Sequence, residues 1–198
     1  MMLTKEIESA YTAILREELV PATGCTEPIA IAYAAARMRQ LLPAAPERIL
    51  AEVSGNILKN VKSVIVPNTG GLKGIRAAVA AGVVAGDPDK RLQVIAQVPA
   101  EVRPAIAQYV QETEISVECV QTTRLLDIRL TGWAQGHTAL VHIANSHGNI
   151  VREEQDGQIL LEKPVTDSAE DNLTDKSVLN VADILEYANT VDLAAVIP

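Results

Sequence analysis

A cysteine lies at a predicted loop-to-helix junction in the stretch PATGCTEPIA, residues 21–30. The thiol of Cys25 would sit just before a helix N-terminus, where the helix dipole and unpaired backbone N–H groups favour the thiolate. A thiolate attacks electrophiles or binds metals, whereas the alternative interpretation of Cys25 is a small packed residue. Glu27, in the first turn, is predicted to interact favourably with the dipole. One such cysteine is too few for a zinc or an iron–sulfur site.

A second group of polar residues lies in two nearby stretches, SGNILKN at residues 54–60 and PNTGG at residues 67–71. These stretches bring amides, hydroxyls and an ammonium close together in sequence, and their backbone N–H groups could bind an anion such as a carboxylate. The spacing of a Walker phosphate loop is absent. Turn chemistry alone also explains Asn-Thr-Gly-Gly. The candidate ligand-binding residues are Ser54, Asn56, Lys59, Asn60, Asn68, Thr69, Gly70 and Gly71.

All three histidines lie in the stretch GHTALVHIANSHGN, at positions 137, 142 and 147. On a strand, a spacing of five directs neighbouring side chains to opposite faces, so these histidines are not expected to form one metal cluster. We expect His142 to be a half-buried strand residue. We expect His147 to be exposed in a tight turn.

The order of the predicted elements indicates an α+β fold, with a mixed or antiparallel sheet packed with helices. Helical periodicity and helix-end signals predict helices at residues 4–20, 26–42, 72–85, 101–111 and 178–188. Alternating or short apolar stretches predict strands at residues 47–53, 62–66, 92–97, 115–120, 126–130, 137–144 and 150–154, and one that ends at 161. We expect Cys119 to be buried, since it shares a strand face with Ile115 and Val117.

Composition narrows the classes of function. The 198 residues carry a formal net charge of −8, which argues against a nucleic-acid partner. Hydrophobic residues make up 48% of the chain and Phe is absent, so we expect a core of Ala, Val and Ile. The two cysteines form no disulfide framework of the secreted type. The sequence shows neither a signal-peptide core nor a transmembrane run, and a reducing cytoplasm fits these features.

Four motifs in order, GCTEPIAIAYAAA, SGNILKN, VIVPNTGG and GHTALVHIANSHGNIV, closely resemble the N-terminal half of the L-cysteine desulfidase family. That family is related to the α subunit of iron–sulfur-dependent L-serine dehydratases. The resemblance implies a lyase that converts L-cysteine to pyruvate, ammonia and sulfide with a [4Fe–4S] cluster and without pyridoxal phosphate. It implies that Cys25 is a cluster ligand. Cys119 matches no ligand position of the family.

The resemblance also implies how the chain is organised and what it lacks. Residues 1–162 would be the α+β N-terminal domain, and residues 163–198 an acidic linker and the start of a C-terminal helical domain that carries the other cluster cysteines. We therefore expect this chain alone to be inactive and to hold no cluster. We expect it to associate with a C-terminal half, a partner subunit or copies of itself.

In the complete enzyme, the SGNILKN and PNTGG groups would hold the carboxylate and ammonium of a small amino acid. Lys59 would be the base or a partner of the carboxylate, since a partly buried lysine has a lowered pKa. Two alternatives remain, an L-serine dehydratase on the same scaffold and a non-catalytic module that binds a small molecule.

Overall fold

The structure is a computed structural model, and it describes residues 3–165 and 174–196. The chain divides into two compact units, one of Met1–Pro21 with Ser168–Pro198 and the other of Ala22–Asp167. The sequence predicts a boundary after residue 162, whereas in this division the first helix groups with the C-terminal segment. Residues 166–173 of the predicted acidic linker lie outside the described residues.

The larger unit is built on one six-stranded mixed sheet. Its strands are β1 (Arg48–Ser54), β2 (Glu114–Val120), β3 (Asp127–Ala134), β4 (His137–Ala144), β5 (Ile150–Gln155) and β6 (Gln158–Glu162). Their order across the sheet is β2-β1-β3-β4-β5-β6. β1 and β2 pair in parallel, and the other neighbouring strands pair antiparallel. The predicted α+β fold with a mixed sheet is confirmed.

The helices are α1 (Lys5–Glu18), α2 (Thr26–Gln40), α3 (Gly55–Val61), α4 (Gly74–Ala85), α5 (Arg103–Glu112) and α6 (Val181–Thr190). Short 3-10 helices lie at Pro88–Gln93, Ala100–Val102, Lys176–Val178 and Leu193–Ala195. α2 packs on β3 and β4 and against α4, and α4 also contacts α5. One face of the sheet is thereby covered by helices. Along β1, Ile49, Ala51 and Val53 are fully buried, while Leu50 and Glu52 on the opposite face are half-buried.

Small residues let the two central helices approach each other closely. A Cβ placed on Gly82 of α4 would lie 2.1 Å from the backbone oxygen of Ala32 in α2. At such a distance only glycine fits, and the facing surface of α2 is correspondingly rich in alanine. At Gly82 the backbones of α2 and α4 are therefore in direct contact, with small side chains around them.

Two local predictions were wrong, and one helix was not predicted. Residues 62–66 form a turn with one isolated bridge between Ile65 and Lys73, because Pro67 stops further pairing. Residues 92–97 are 3-10 helix and turns, in which Val94 and Ile95 are buried without pairing to a strand. A short apolar run shows burial but does not by itself distinguish a strand from a buried loop. The stretch SGNILKN forms a helix, α3, which follows β1 without a loop.

The prediction that Cys119 is buried was also wrong. The residue is exposed, whereas Ile115 on the same strand is 7% exposed. β2 is an edge strand of the sheet. Residues are buried near its start, at Ile115, but are exposed near its end, at Cys119. Alternation predicted the side to which the thiol points, but it does not show how far the helices extend over that side.

The smaller unit pairs α1 with α6. The rings of Tyr11 and Tyr187 meet edge to face with centroids 5.4 Å apart. The Thr12 and Tyr187 hydroxyls are 2.7 Å apart, and the Tyr11 hydroxyl donates to the carbonyl of Val178 over 3.1 Å. In neither unit do the described residues include a helix with the length and apolar character needed to cross a membrane.

Candidate functional site

Cys25 occupies the N-cap position of α2, with φ −61° and ψ 125°, and its side chain is exposed. Its thiol donates a hydrogen bond to Oε2 of Glu27 over 3.1 Å. Partial desolvation raises the pKa of the Cys25 thiol, and the hydrogen bond and negative charge of Glu27 raise it further. The expected preference for the thiolate is therefore wrong in this structure, because a neighbouring carboxylate disfavours a second negative charge.

Glu27 connects Cys25 to two other motifs. Its Oε1 accepts a hydrogen bond from Nδ2 of Asn60 over 3.3 Å, and its charge interacts with His147. The hydrogen bond from the Cys25 thiol is the main cause that lowers the pKa of Glu27. His147 is half-buried rather than exposed as expected, and burial lowers its pKa while Glu27 opposes that shift. We call Cys25, Glu27, Asn60 and His147 the Cys25 site.

The PNTGG motif begins beside the same site. A Cβ on Gly24, the residue before Cys25, would lie 3.1 Å from Cγ of Pro67. Gly24 also has φ +82°, a conformation that favours glycine. Four segments that are far apart in sequence, around residues 24–27, 60, 67 and 147, therefore lie together at the N-terminal end of α2.

Two of the candidate polar side chains are buried and engaged within the fold. Oγ of Ser54 caps α3 by accepting a hydrogen bond from the backbone N–H of Ile57 over 3.4 Å, and it donates to the carbonyl of Leu125 over 2.7 Å. Oγ1 of Thr69 donates to the carbonyl of Val66 over 2.8 Å. Ser54 is 1% exposed and Thr69 3%, so their side chains hold the backbone rather than present groups to a ligand.

Asn68 also stabilises its own loop. Its Nδ2 donates to the carbonyls of Ile95 and Ala96 over 2.9 and 3.2 Å, and the residue has φ +61°, which asparagine tolerates. Gly70 and Gly71 follow with φ +77° and +95° and are exposed. The turn interpretation of this motif thus agrees with the contacts of its side chains.

On α3, Asn56, Lys59 and Asn60 are exposed, while Ile57 and Val61 anchor the helix in the core. The partly buried environment expected for Lys59 is absent. Asn56 and Asn60 are four residues apart and share one helix face. Asn60 is the member of this group whose side chain the structure brings into contact with the Cys25 site.

The other two histidines each pair with an aspartate. His142 is buried, at 7% exposure, rather than half-buried as expected. It lies 2.8 Å from Oδ1 of Asp127, whose Oδ2 accepts a hydrogen bond from Arg124. His137 is exposed and lies 2.8 Å from Oδ2 of Asp156. The three histidines therefore have different carboxylate neighbours, Asp156 for His137, Asp127 for His142 and Glu27 for His147.

Sequence reasoning missed two buried carboxylates. Asp127 is 5% exposed beside His142, and Glu153 is 6% exposed in a bidentate contact with Arg37. Asp127 pairs with Ala144 across β3 and β4, but it shares a sheet face with Arg129, the residue opposite His142, and strand alternation could have indicated that shared face. Nothing local marks Glu153, whose partner is 116 residues away. In the described ranges, 3–165 and 174–196, no group of three or more His, Cys, Asp or Glu could hold a metal ion.

Comparison with known proteins finds similarity to longer chains. A UPF0597 protein from Treponema denticola is 46% identical over 199 residues, which cover 100% of this chain and 46% of the relative. A UPF0597 protein from Desulfitobacterium hafniense is 48% identical over 181 residues, 91% of this chain and 42% of the relative. One from Lachnoclostridium phytofermentans is 42% identical over 185 residues, 93% and 44% respectively. No family model matches this chain, and no solved structure does. The chain thus spans a little under half the length of these relatives.

Proposed function

We propose that this chain is the N-terminal part of an iron–sulfur-dependent lyase that converts L-cysteine to pyruvate, ammonia and sulfide by β-elimination. The observation that carries the proposal is the convergence at the Cys25 site. Residues of the GCTEP, SGNILKN and SHGN motifs contact or interact with one carboxylate, Glu27, and the PNTGG motif starts beside Gly24. The convergence places polar groups of different motifs around one carboxylate, as a binding site for a small amino acid would require.

This chain by itself does not offer the ligand set of a [4Fe–4S] cluster. Such clusters are held mainly by cysteine thiolates, with four in the usual case. The chain has two cysteines. Sγ of Cys119 lies 3.8 Å from the position of a Cβ on Gly55, at the first residue of α3, whereas Asn60 of the Cys25 site is near the other end of that helix. Cys25 is therefore the thiol available as a ligand, and the other ligands would come from a partner subunit or the additional length of the relatives.

The chain's own residues would orient the amino acid. Asn60 holds the Glu27 carboxylate, and Asn56, one turn earlier on the same face of α3, presents an exposed amide beside it. These amides, with the exposed backbone of Gly70, are the groups we assign to the substrate's carboxylate and ammonium. Lys59, exposed on the same helix, stays a prediction as the base or as a carboxylate partner.

Two further features accompany this proposal. Two free, exposed cysteines fit a protein of the reducing cytoplasm, which is where we place it.

Apolar side chains on and near α6 are exposed, among them Val181 at 84% and Leu185 at 64%, and we propose that they are covered by self-association or by a partner subunit.

The decisive experiment compares the 198-residue chain alone with the chain co-expressed with the polypeptide encoded directly after it. Both samples are reconstituted anaerobically with iron and sulfide, and cluster formation is followed by absorbance at about 400 nm. Sulfide release from L-cysteine and pyruvate release from L-serine are measured in parallel. We expect cluster and sulfide release in the co-expressed sample, and neither in the chain alone.

Matched cysteine variants identify the ligand. C25S should abolish the cluster in the co-expressed sample, whereas C119S should leave it intact. Pyruvate from L-serine without sulfide from L-cysteine would establish the dehydratase instead. Amino-acid binding without turnover would establish the binding module. A stoichiometric cluster in C25S would show that Cys25 is not a ligand.

A further inference from the structure

A groove lined by charged residues lies on the larger unit, between the 3-10 helix Pro88–Gln93 and the strands β5 and β6. α2 contributes Tyr33 and Arg37 to it, and its volume is about 420 Å³. Gly148, which also lines the groove, directly follows His147 of the Cys25 site. None of the groove's charged residues was singled out by the sequence motifs.

An ion pair between Arg37 and Glu153 forms part of the lining of the groove, which we call its floor. Nε of Arg37 donates to Oε1 of Glu153 over 2.6 Å, and Nη2 donates to Oε2 over 3.0 Å. Nη1 of Arg37 donates to Oε1 of Gln40 over 2.6 Å. Since every nitrogen of this guanidinium is engaged and both Glu153 oxygens are occupied, the pair adds no free charge to the groove.

Tyr33 places a hydroxyl in the same groove. Its side chain is 8% exposed, and within the described part of the chain its hydroxyl has no hydrogen-bond partner. Burial raises the pKa of Tyr33, against the opposing charges of Arg91 and Arg37, so the hydroxyl is protonated and can donate. Its oxygen is not among the buried polar atoms that lack a partner in the described residues, so it is open to the groove, where water or a ligand can accept its hydrogen bond.

Arg91 adopts a strained backbone conformation on the wall of the groove. Its φ of 48° and ψ of −117° belong to a region that glycine occupies readily and arginine does not. Such outliers persist where the surrounding structure enforces them, and they point to a functional constraint. Here the conformation places Arg91 among the groove residues. Among the described residues, its guanidinium has neither a hydrogen bond nor an ion pair.

The charge that is not neutralised inside the groove is positive. Lys163 lines it as well, and its ammonium is not in an ion pair with any described residue. Arg91 and Lys163 contribute two positive charges and Asp89 contributes one negative charge, so one positive charge is in excess. The whole chain has a formal net charge of −8, and a local reversal of sign in a concave site attracts anions.

We propose that this groove binds a small oxyanion, the carboxylate or phosphate group of a small molecule. Arg91 and Lys163 bind the anion, the hydroxyl of Tyr33 donates a hydrogen bond to it, and the pair of Arg37 with Glu153 keeps the floor in place. The site does not depend on the cluster or on the reaction proposed above, and it takes its ligand through residues outside the Cys25 site.

The test is a titration of the ¹⁵N-labelled 198-residue chain, followed by NMR at constant ionic strength. One arm uses inorganic phosphate and the other succinate, so that phosphate and carboxylate ligands are distinguished. We expect saturable shifts, with a Kd of about 1 mM or below, centred on residues 88–92, 148–150 and 161–163. Shifts that do not saturate, or that spread over lysines and arginines elsewhere, would overturn the proposal.

Charge-matched variants separate a built site from general attraction. R91Q should weaken binding of the preferred anion by about tenfold, the loss of one charge-assisted hydrogen bond. K90Q removes the same charge one residue away, outside the groove, and should change Kd by less than about twofold. R91G removes the guanidinium and supplies the residue that this backbone favours, so it should weaken binding as much as R91Q does while unfolding at an equal or higher denaturant concentration. Equal affinities of R91Q, R91G and K90Q would refute the site.

Discussion

Replacing Gly82 by alanine tests the packing that positions the Cys25 site. The new Cβ would lie 2.1 Å from the oxygen and 2.9 Å from the carbonyl carbon of Ala32, and 2.8 Å from Cβ of Ala35. All these atoms belong to the backbone or to a Cβ, so no flexible side chain can move aside. α2 and α4 would have to separate by roughly 1 Å or more to restore ordinary contact distances of about 3.5 Å.

The expected magnitude follows from two opposing terms. Overpacking a core costs about 1–3 kcal/mol and occasionally more, and this site belongs at the upper end because helix backbones must move. Alanine regains about 1 kcal/mol of helix propensity relative to glycine. We therefore expect Gly82→Ala to lower the free energy of unfolding by about 2 kcal/mol.

The assay is urea unfolding followed by circular dichroism, with Gly55→Ala as the matched control. Gly55 begins α3, is exposed, and its added Cβ would meet Sγ of Cys119 at an ordinary 3.8 Å. Gly55→Ala should therefore be neutral or stabilising by up to about 1 kcal/mol. An unfolding free energy of Gly82→Ala equal to or above that of the wild type would refute the close approach of α2 and α4.

Three further predictions concern the charged residues. Because Glu27 raises the pKa of Cys25, Glu27→Gln should lower that pKa and speed alkylation of Cys25 at neutral pH, as mass spectrometry would show; an unchanged rate would contradict the contact. Arg37→Met leaves Glu153 buried without a partner and should lower the free energy of unfolding in urea by about 2–3 kcal/mol. This is below the usual cost of about 3–5 kcal/mol because Arg37 is partly exposed. A neutral effect would argue against the pair. The pKa of Asp127 is lowered in the fold, so its contribution to stability is present above its unfolded pKa and is lost as the pH falls through the folded value. Unfolding midpoints between pH 6 and 3 should therefore fall more for the wild type than for Asp127→Asn, and parallel curves would exclude the effect.

Local rules were sufficient for most of the secondary structure. Helix-end signals act over only a few residues. α1 begins after its N-cap Thr4 and ends before Pro21, and α4 ends before Gly86 and Pro88. Alternation likewise predicted β4 with its observed bounds, but it predicted only the first half of β3, which continues to Ala134. The failures at 62–66 and 92–97 are short apolar segments whose burial is decided by neighbours distant in the chain.

The sequence by itself thus determined five of the six helices, the strand alternation, the α+β class and the identity of the motifs, because these depend on periods of 2 and 3.6 residues and on local backbone preferences. Only the tertiary structure decided that Asn60 bonds to Glu27 and His147 lies near it, that this carboxylate raises the pKa of Cys25, and that Arg91 lines a groove with Tyr33 and Lys163. Those features depend on strand order and helix approach, which place residues more than thirty positions apart side by side. A pKa or a binding groove is a property of the resulting distances and burial, and no spacing along the chain specifies either of them.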